Sequence, residues 1–112
     1  MTPDLCGTME QVRTEIDRID DALVALLVER WGYVDRAWQL KDRPEDATVP
    51  WRIQQVIDQV RARCDGTDLP PALTEALWRQ IIGWGIQFEQ EKLAARPASA
   101  QRSESRKQGD EG

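Results

Sequence analysis

Apolar and polar positions alternate along residues 8–41 in steps of four and three. Val12, Ile16, Ile19, Leu23 and Leu26 open a stripe that Tyr33, Ala37 and Leu40 continue, which is the period of a helix packed along its whole length. Thr8, followed three residues later by Gln11, has the form of a capping box, in which hydroxyl and amide side chains satisfy free backbone N–H groups at a helix start. The spacing predicts a helix from Thr8 to Lys41, about 33 residues or roughly 50 Å at 1.5 Å per residue. A small monomer cannot cover such a rod.

The segment Asp42–Val49 interrupts this pattern. Pro44 disfavours helix before it, and Thr48 ahead of Pro50 has the form of a cap for the next helix. A short acidic loop is therefore expected. Ile53, Val56, Ile57 and Val60 then carry a second, short helix from Pro50 to about Cys64, ended by the turn residues Asp65-Gly66-Thr67-Asp68. Pro70-Pro71 opens a third helix, with Leu73, Leu77, Ile81, Trp84 and Phe88 on one face. Trp78, Ile82, Gly85 and Glu89 trace a stripe beside it, and the helix is expected to end between Lys92 and Ala95. Nothing reads as a convincing strand, so the fold class is all-α with one long, one short and one medium helix. Residues 1–95 form the domain, and 96–112, almost without apolar residues, read as a disordered polar tail.

One position breaks the long stripe. Arg30 falls where an apolar residue is due, between Leu26 and Tyr33. A guanidinium carried into a packed seam costs several kcal/mol or more unless a carboxylate or an anionic ligand meets it. Composition narrows the choice. The chain of 112 residues has a formal net charge of −5 and no histidine. An acidic body without a basic stripe speaks against nucleic acid as partner. Lack of histidine removes the commonest general base and metal ligand. Cys6 and Cys64 match no zinc pattern and no dense disulfide framework, so reduced thiols are expected. No apolar run approaches the roughly 20 residues of a bilayer span, and the start lacks a signal-peptide layout. A soluble, cytoplasmic protein without membrane association is expected. Trp31, Trp38, Trp51, Trp78 and Trp84 read as core or interface residues.

Helical arithmetic gives Arg30 company. Lys41 lies eleven residues on, within roughly 20° around the axis and about 16 Å along it, so the two share a face. Side chains reaching toward each other from those points could hold opposite ends of a small anion. Arg13, seventeen residues before Arg30, is about 25 Å away along the rod and about 100° round it. An antiparallel partner helix would bring its own Arg13 beside this Arg30 and bury the long seam in a two-fold dimer. Arg52, at the start of the second helix, could close over the same pocket, and Glu89 is the one acid on an otherwise apolar face. The alternative is purely structural: Arg30 and Glu89 pair with each other, or with Glu29 and Asp35, while Arg13 and Lys41 are solvated.

These pieces, VRTEIDRIDDALVALLVER, then Lys41, then VPWRIQQVI, then LWRQIIGWGIQFEQ, in this order and spacing resemble the small all-helical chorismate mutase family and its relatives the isochorismate-pyruvate lyases. The resemblance covers about residues 6–93. It implies an intertwined homodimer of three-helix chains with two equivalent shared active sites. By position Arg30 and the partner's Arg13 resemble the family's carboxylate-binding arginines. Lys41 resembles the lysine at the ether oxygen and a carboxylate, and Arg52 the arginine that begins the second helix. Glu89 falls on the family's glutamine or glutamate facing the ether oxygen, with Gln90 as the neighbouring register. The implied reaction, chorismate to prephenate, is pericyclic and needs no nucleophile, metal or redox cofactor. A dianion must be held compact, and negative charge on the ether oxygen stabilised. Ionised Glu89 can only accept hydrogen bonds, so this role requires its neutral form.

The chain departs from the pattern at Val49 and Ile53, where typical mutases of the family carry acidic residues for the ring hydroxyl. The CGT opening, the EIDRID run and the VPWR segment look more like the isochorismate-pyruvate lyases, which make salicylate and pyruvate. A mutase for 4-amino-4-deoxychorismate, with Glu45 or Asp46 meeting the ring ammonium, and a non-catalytic helical dimerisation module are the further alternatives.

Overall fold

The structure, a computed structural model, describes residues 1–97. Three α-helices run through them: α1 Met9–Gln39, α2 Pro50–Ala62 and α3 Pro71–Ala95. Two short 3₁₀ turns, Pro3–Leu5 and Pro44–Ala47, complete the order, and no strand occurs among the described residues. The chain divides into two compact units, Met1–Tyr33 and the remainder from Val34 onward.

In the first unit the expected capping box is formed. Gln11 N–H donates to Thr8 Oγ1 at 3.1 Å, and Thr8 N–H donates to Gln11 Oε1 at 3.2 Å. Gly7 N–H reaches the same amide oxygen at 2.6 Å. Two donors at the helix start are thus satisfied reciprocally, and Gly7 adds a third. No residue of α1 is buried. Ile16, Ile19, Leu23, Leu26 and Leu27 are all exposed, Leu26 by 61%.

The second unit has its own core. Ile57 and Leu93, each 1% exposed, are joined by Ala47, Val60 and Cys64. Both α2 and the Pro44–Ala47 turn pack on α3. At Gly85 the end of α1 touches α3: a Cβ built there would meet Val34 Cγ1 at 3.5 Å, an ordinary contact. Cys64, a free thiol, lies 3.1 Å from Thr74 Oγ1 across the α2–α3 junction. On the outside, Arg61 and Arg79 both pair with Glu75, at 2.7 and 2.8 Å.

Several sequence expectations change. α1 ends at Gln39, and Lys41 follows a tight turn in which Leu40 N–H donates to Ala37 C=O and Lys41 N–H to Trp38 C=O, both at 3.1 Å. The rotation and rise computed for a helix continuing to Lys41 therefore do not apply to that residue. The loop before α2 contains a 3₁₀ turn that buries Ala47. The N-cap of α2 is Val49, with no side-chain cap from Thr48, because Pro50 supplies a first helical residue that has no N–H to satisfy. α2 ends at Ala62, two residues early, and Gly66 takes the positive φ of 78° in the turn beyond it. On α3 the buried stripe is Thr74, Gly85, Glu89 and Leu93, while Leu73, Leu77 and Trp84 of the expected apolar face are exposed, Trp84 by 65%. Arg96, expected in the polar tail, packs instead on the end of α1. Of that expected tail, residues 98–112 lie outside the described residues.

Candidate functional site

Lys41 and Glu89 are brought together although 48 residues separate them. Lys41 Nζ donates to Glu89 Oε1 at 2.7 Å, and both residues are buried, 5% and 6% exposed. Lys41 is delivered by the turn that closes α1. Glu89 stands one helical turn after Gly85 and one before Leu93, on the buried stripe of α3. Gln90, the neighbouring register, is exposed. The alternative in which Lys41 is merely solvated is not what the fold adopts.

Burial pushes the Glu89 carboxyl above the ordinary carboxylate range, and the hydrogen bond and charge of Lys41 pull against that rise. Desolvation is the larger influence. The carboxyl is therefore easier to protonate than a surface glutamate. Either form has a use: the anion neutralises Lys41, and the neutral acid can donate a hydrogen bond.

The remaining candidates are placed separately. Arg52, half-buried at the start of α2, donates to Gln55 Oε1 at 2.7 Å. Arg13, exposed, and Arg30, half-buried, both lie on α1 within Met1–Tyr33. The acidic loop is internally engaged at Asp46, whose Oδ2 accepts from Arg43 N–H at 3.0 Å and Asp42 N–H at 3.4 Å. Glu45 remains exposed, 3.6 Å from Arg43. Val49 and Ile53 are half-buried at the head of α2.

One participant was missed by reading the sequence. Arg96 donates from Nη1 to Lys41 C=O at 2.9 Å and from Nη2 to Trp38 C=O and Gln39 C=O, each at 3.4 Å. Its composition-poor surroundings hid it. The usable signal was its spacing of seven residues from Glu89, which returns to the same helical face.

Among the described residues no helix is long and apolar enough to cross a membrane. The chorismate mutase type II family model matches residues 12–90. The chain is also 31% identical over 85 residues to the isochorismate pyruvate lyase of Pseudomonas aeruginosa, an alignment covering 76% of this chain and 84% of that protein. A buried lysine–glutamate pair on an all-helical frame and a family match over most of the chain agree, and the chain belongs to the chorismate mutase type II family.

Proposed function

We propose that this chain is a chorismate mutase, rearranging chorismate to prephenate without a covalent intermediate. The observation that carries the reading is the buried Lys41–Glu89 pair at 2.7 Å. A buried ion pair is weak evidence for stability, since its desolvation cost commonly equals or exceeds the attraction. In so small a core its presence is better accounted for by chemistry.

In this reading substrate enters between the two groups. Lys41 turns its ammonium from Glu89 to the ether oxygen and a carboxylate of the dianion. Glu89, raised by its apolar surroundings, takes up a proton and donates it in a hydrogen bond to the same ether oxygen as negative charge develops there. Arg30 and Arg52 hold the carboxylates in the compact conformer. Arg13 of the partner subunit completes the set. The reaction itself breaks the ether C–O bond and forms a C–C bond within one molecule, so no group is transferred to the protein.

The homodimer belongs to the same proposal. The stripe Ile16, Ile19, Leu23 and Leu26 and the α3 residues Leu73, Leu77 and Trp84 are exposed in the single chain, and large exposed apolar patches mark interaction surfaces. A second copy laid antiparallel along α1 covers the stripe and supplies Arg13.

A second reading, isochorismate-pyruvate lyase, is favoured by two observations: the named relative, and apolar Val49 and Ile53 where the family's mutases carry acids for the ring hydroxyl. The same cations would serve it, with C–O cleavage and transfer of a ring hydrogen to the enolpyruvyl methylene carbon yielding salicylate and pyruvate. The amino-substrate reading loses support because Asp46 already caps the loop backbone, leaving Glu45 alone for a ring ammonium.

Product identification after separate incubation with chorismate, isochorismate and 4-amino-4-deoxychorismate decides between them. Prephenate from chorismate, at a rate abolished by Lys41→Ala, is the expected outcome. Salicylate and pyruvate from isochorismate alone would transfer the proposal to the lyase. No turnover of any of the three would leave a helical dimerisation module.

A further inference from the structure

Lys41 is held twice by the same helix. Its ammonium meets Glu89 at 2.7 Å, and its carbonyl accepts the Arg96 Nη1 hydrogen at 2.9 Å. Arg96 is the C-terminal cap of α3. It follows Glu89 by seven residues, about two helical turns at roughly 100° per residue, so both lie on one face. Leu93, between them, is 1% exposed and anchors that face in the core.

The guanidinium does more than touch one carbonyl. Its second nitrogen points at the carbonyls of Trp38 and Gln39, each at 3.4 Å, and its plane lies over the Trp38 ring, 5.0 Å from the centroid. Trp38 is fixed in turn, because its Nε1 donates to Asp35 Oδ1 at 2.8 Å. A helix leaves its last carbonyls without intrahelical partners. At the end of α1 they are met by a planar fork arriving from α3, a geometry that lysine's single point charge cannot reproduce. The positive charge also suits the negative end of the α1 dipole.

This matters because Lys41 lies outside the regular helix. Two turn hydrogen bonds hold its main chain locally, and its ammonium sits at the end of a flexible four-carbon stem. Where the stem starts decides where the charge can rest.

We propose that Arg96 is a positioning residue for the reaction: by clamping the main chain at Lys41 it keeps the lysine in register with Glu89. The inference rests on the catalytic reading of Lys41 given above. Its own content is that the order of the Lys41 backbone depends on Arg96.

The test uses the full chain with Arg96→Ala, Arg96→Lys, Lys41→Ala and the Lys41→Ala/Arg96→Ala double variant. Misplacing a catalytic group by about 1 Å costs on the order of 100-fold, so Arg96→Ala should lower kcat by about 10- to 100-fold. KM should change less than kcat, because Arg30, Arg52 and the partner's Arg13, the arginines proposed to hold the carboxylates, are untouched. Arg96→Lys keeps the positive charge and one donor for the Lys41 carbonyl but not the fork, and should recover only part of kcat. Because Arg96 acts through Lys41, the double variant should lose no more than Lys41→Ala alone. Hydrogen exchange at the Lys41 amide, which donates to Trp38 C=O, should accelerate about tenfold or more in Arg96→Ala, with Ile57 and Gly85 amides unchanged.

Native kcat in Arg96→Ala, or additive losses in the double variant, would overturn the proposal. If Arg96→Ala does not fold, Arg96→Lys and Arg96→Gln decide it at equal helicity: higher kcat for Lys supports the clamp, and equal kcat rejects it. Should Lys41→Ala retain full turnover, the catalytic reading fails by itself. Exchange then decides the clamp, accelerated Lys41 exchange keeping it and unchanged exchange removing it.

Discussion

The two units of this chain use apolar residues in opposite ways. In Met1–Tyr33 the apolar stripe is long and regular, yet α1 buries none of its residues. From Val34 onward the apolar positions are sparser along the chain, yet they enclose Ile57, Val60, Cys64 and Leu93 together with a charged pair. Regular periodicity therefore does not measure burial within a chain. In the first unit the cover of that face is proposed to be a second copy. The second unit, in contrast, already contains what a reaction would need locally: an ammonium and a carboxyl excluded from water.

The largest effect should come from attacking that difference directly. Ile19→Asp with Leu23→Asp places two carboxylates in the proposed seam. An unpaired buried charge costs several kcal/mol or more, and each 1.4 kcal/mol is about tenfold in association. Sedimentation should show dimer replaced by monomer at micromolar protein, and turnover should fall at least about 1000-fold. A dimer that survives both substitutions would mean that the stripe is covered by something else.

Next in size is Lys41→Met, which breaks the pair and leaves Glu89 buried without its cation. Removing one partner of a buried pair typically costs about 3–5 kcal/mol. The Glu89 carboxyl then loses the influence that lowers its pKa, and desolvation raises it further. Between the unfolded and the folded pKa, the folded chain holds a proton that the unfolded chain has released, so stability of the variant should fall as pH rises. Urea unfolding at pH 5 and pH 8 measures this. Adding Glu89→Leu should restore most of the loss without restoring turnover. A variant equally stable at both pH values would show that Glu89 is not shielded from water in solution.

Glu89→Gln probes the same pair more gently. The wild-type carboxyl pKa is raised by burial, so the neutral form proposed to act is lost, and kcat should decline, as pH rises through that raised value. The glutamine variant donates its hydrogen bond at every pH, and its profile should be flat over the same range. An identical decline in both proteins would take Glu89 out of the role.

Most of the fold was legible because its signals are local. The Thr8–Gln11 box, Pro70-Pro71 and the Ile57–Val60 stripe each act within a few residues, and each appears where the pattern put it. Glu89 was legible as an acid on an apolar face, and its partner as a lysine near the end of α1. The true end of that helix was not: Gln39 is followed by two residues compatible with helix, and its carbonyl is met by a guanidinium 57 residues away in sequence. The choice between the two apolar faces of α3 also depended on tertiary packing. Leu73, Leu77 and Trp84 outweigh Thr74, Gly85 and Glu89 in hydrophobicity, yet the second set is buried: Thr74 meets Cys64, Gly85 faces Val34 and Glu89 meets Lys41.

The smallest predicted effect lies at the opposite end of α1. Thr8→Ala removes the acceptor for Gln11 N–H while leaving Gln11 Oε1 to accept from Thr8 and Gly7 N–H. Loss of an N-cap side chain usually costs about 0.5–2 kcal/mol, and with half of the box retained the lower end applies. Because this turn has no core of its own beneath it, the loss should remain local. Amides of Val12 and Arg13 should exchange a few-fold faster, while those of Ile57 and Val60 keep their protection. Equal acceleration at Ile57 would show that the two units unfold as one, and that the contrast between them is one of packing and not of cooperativity.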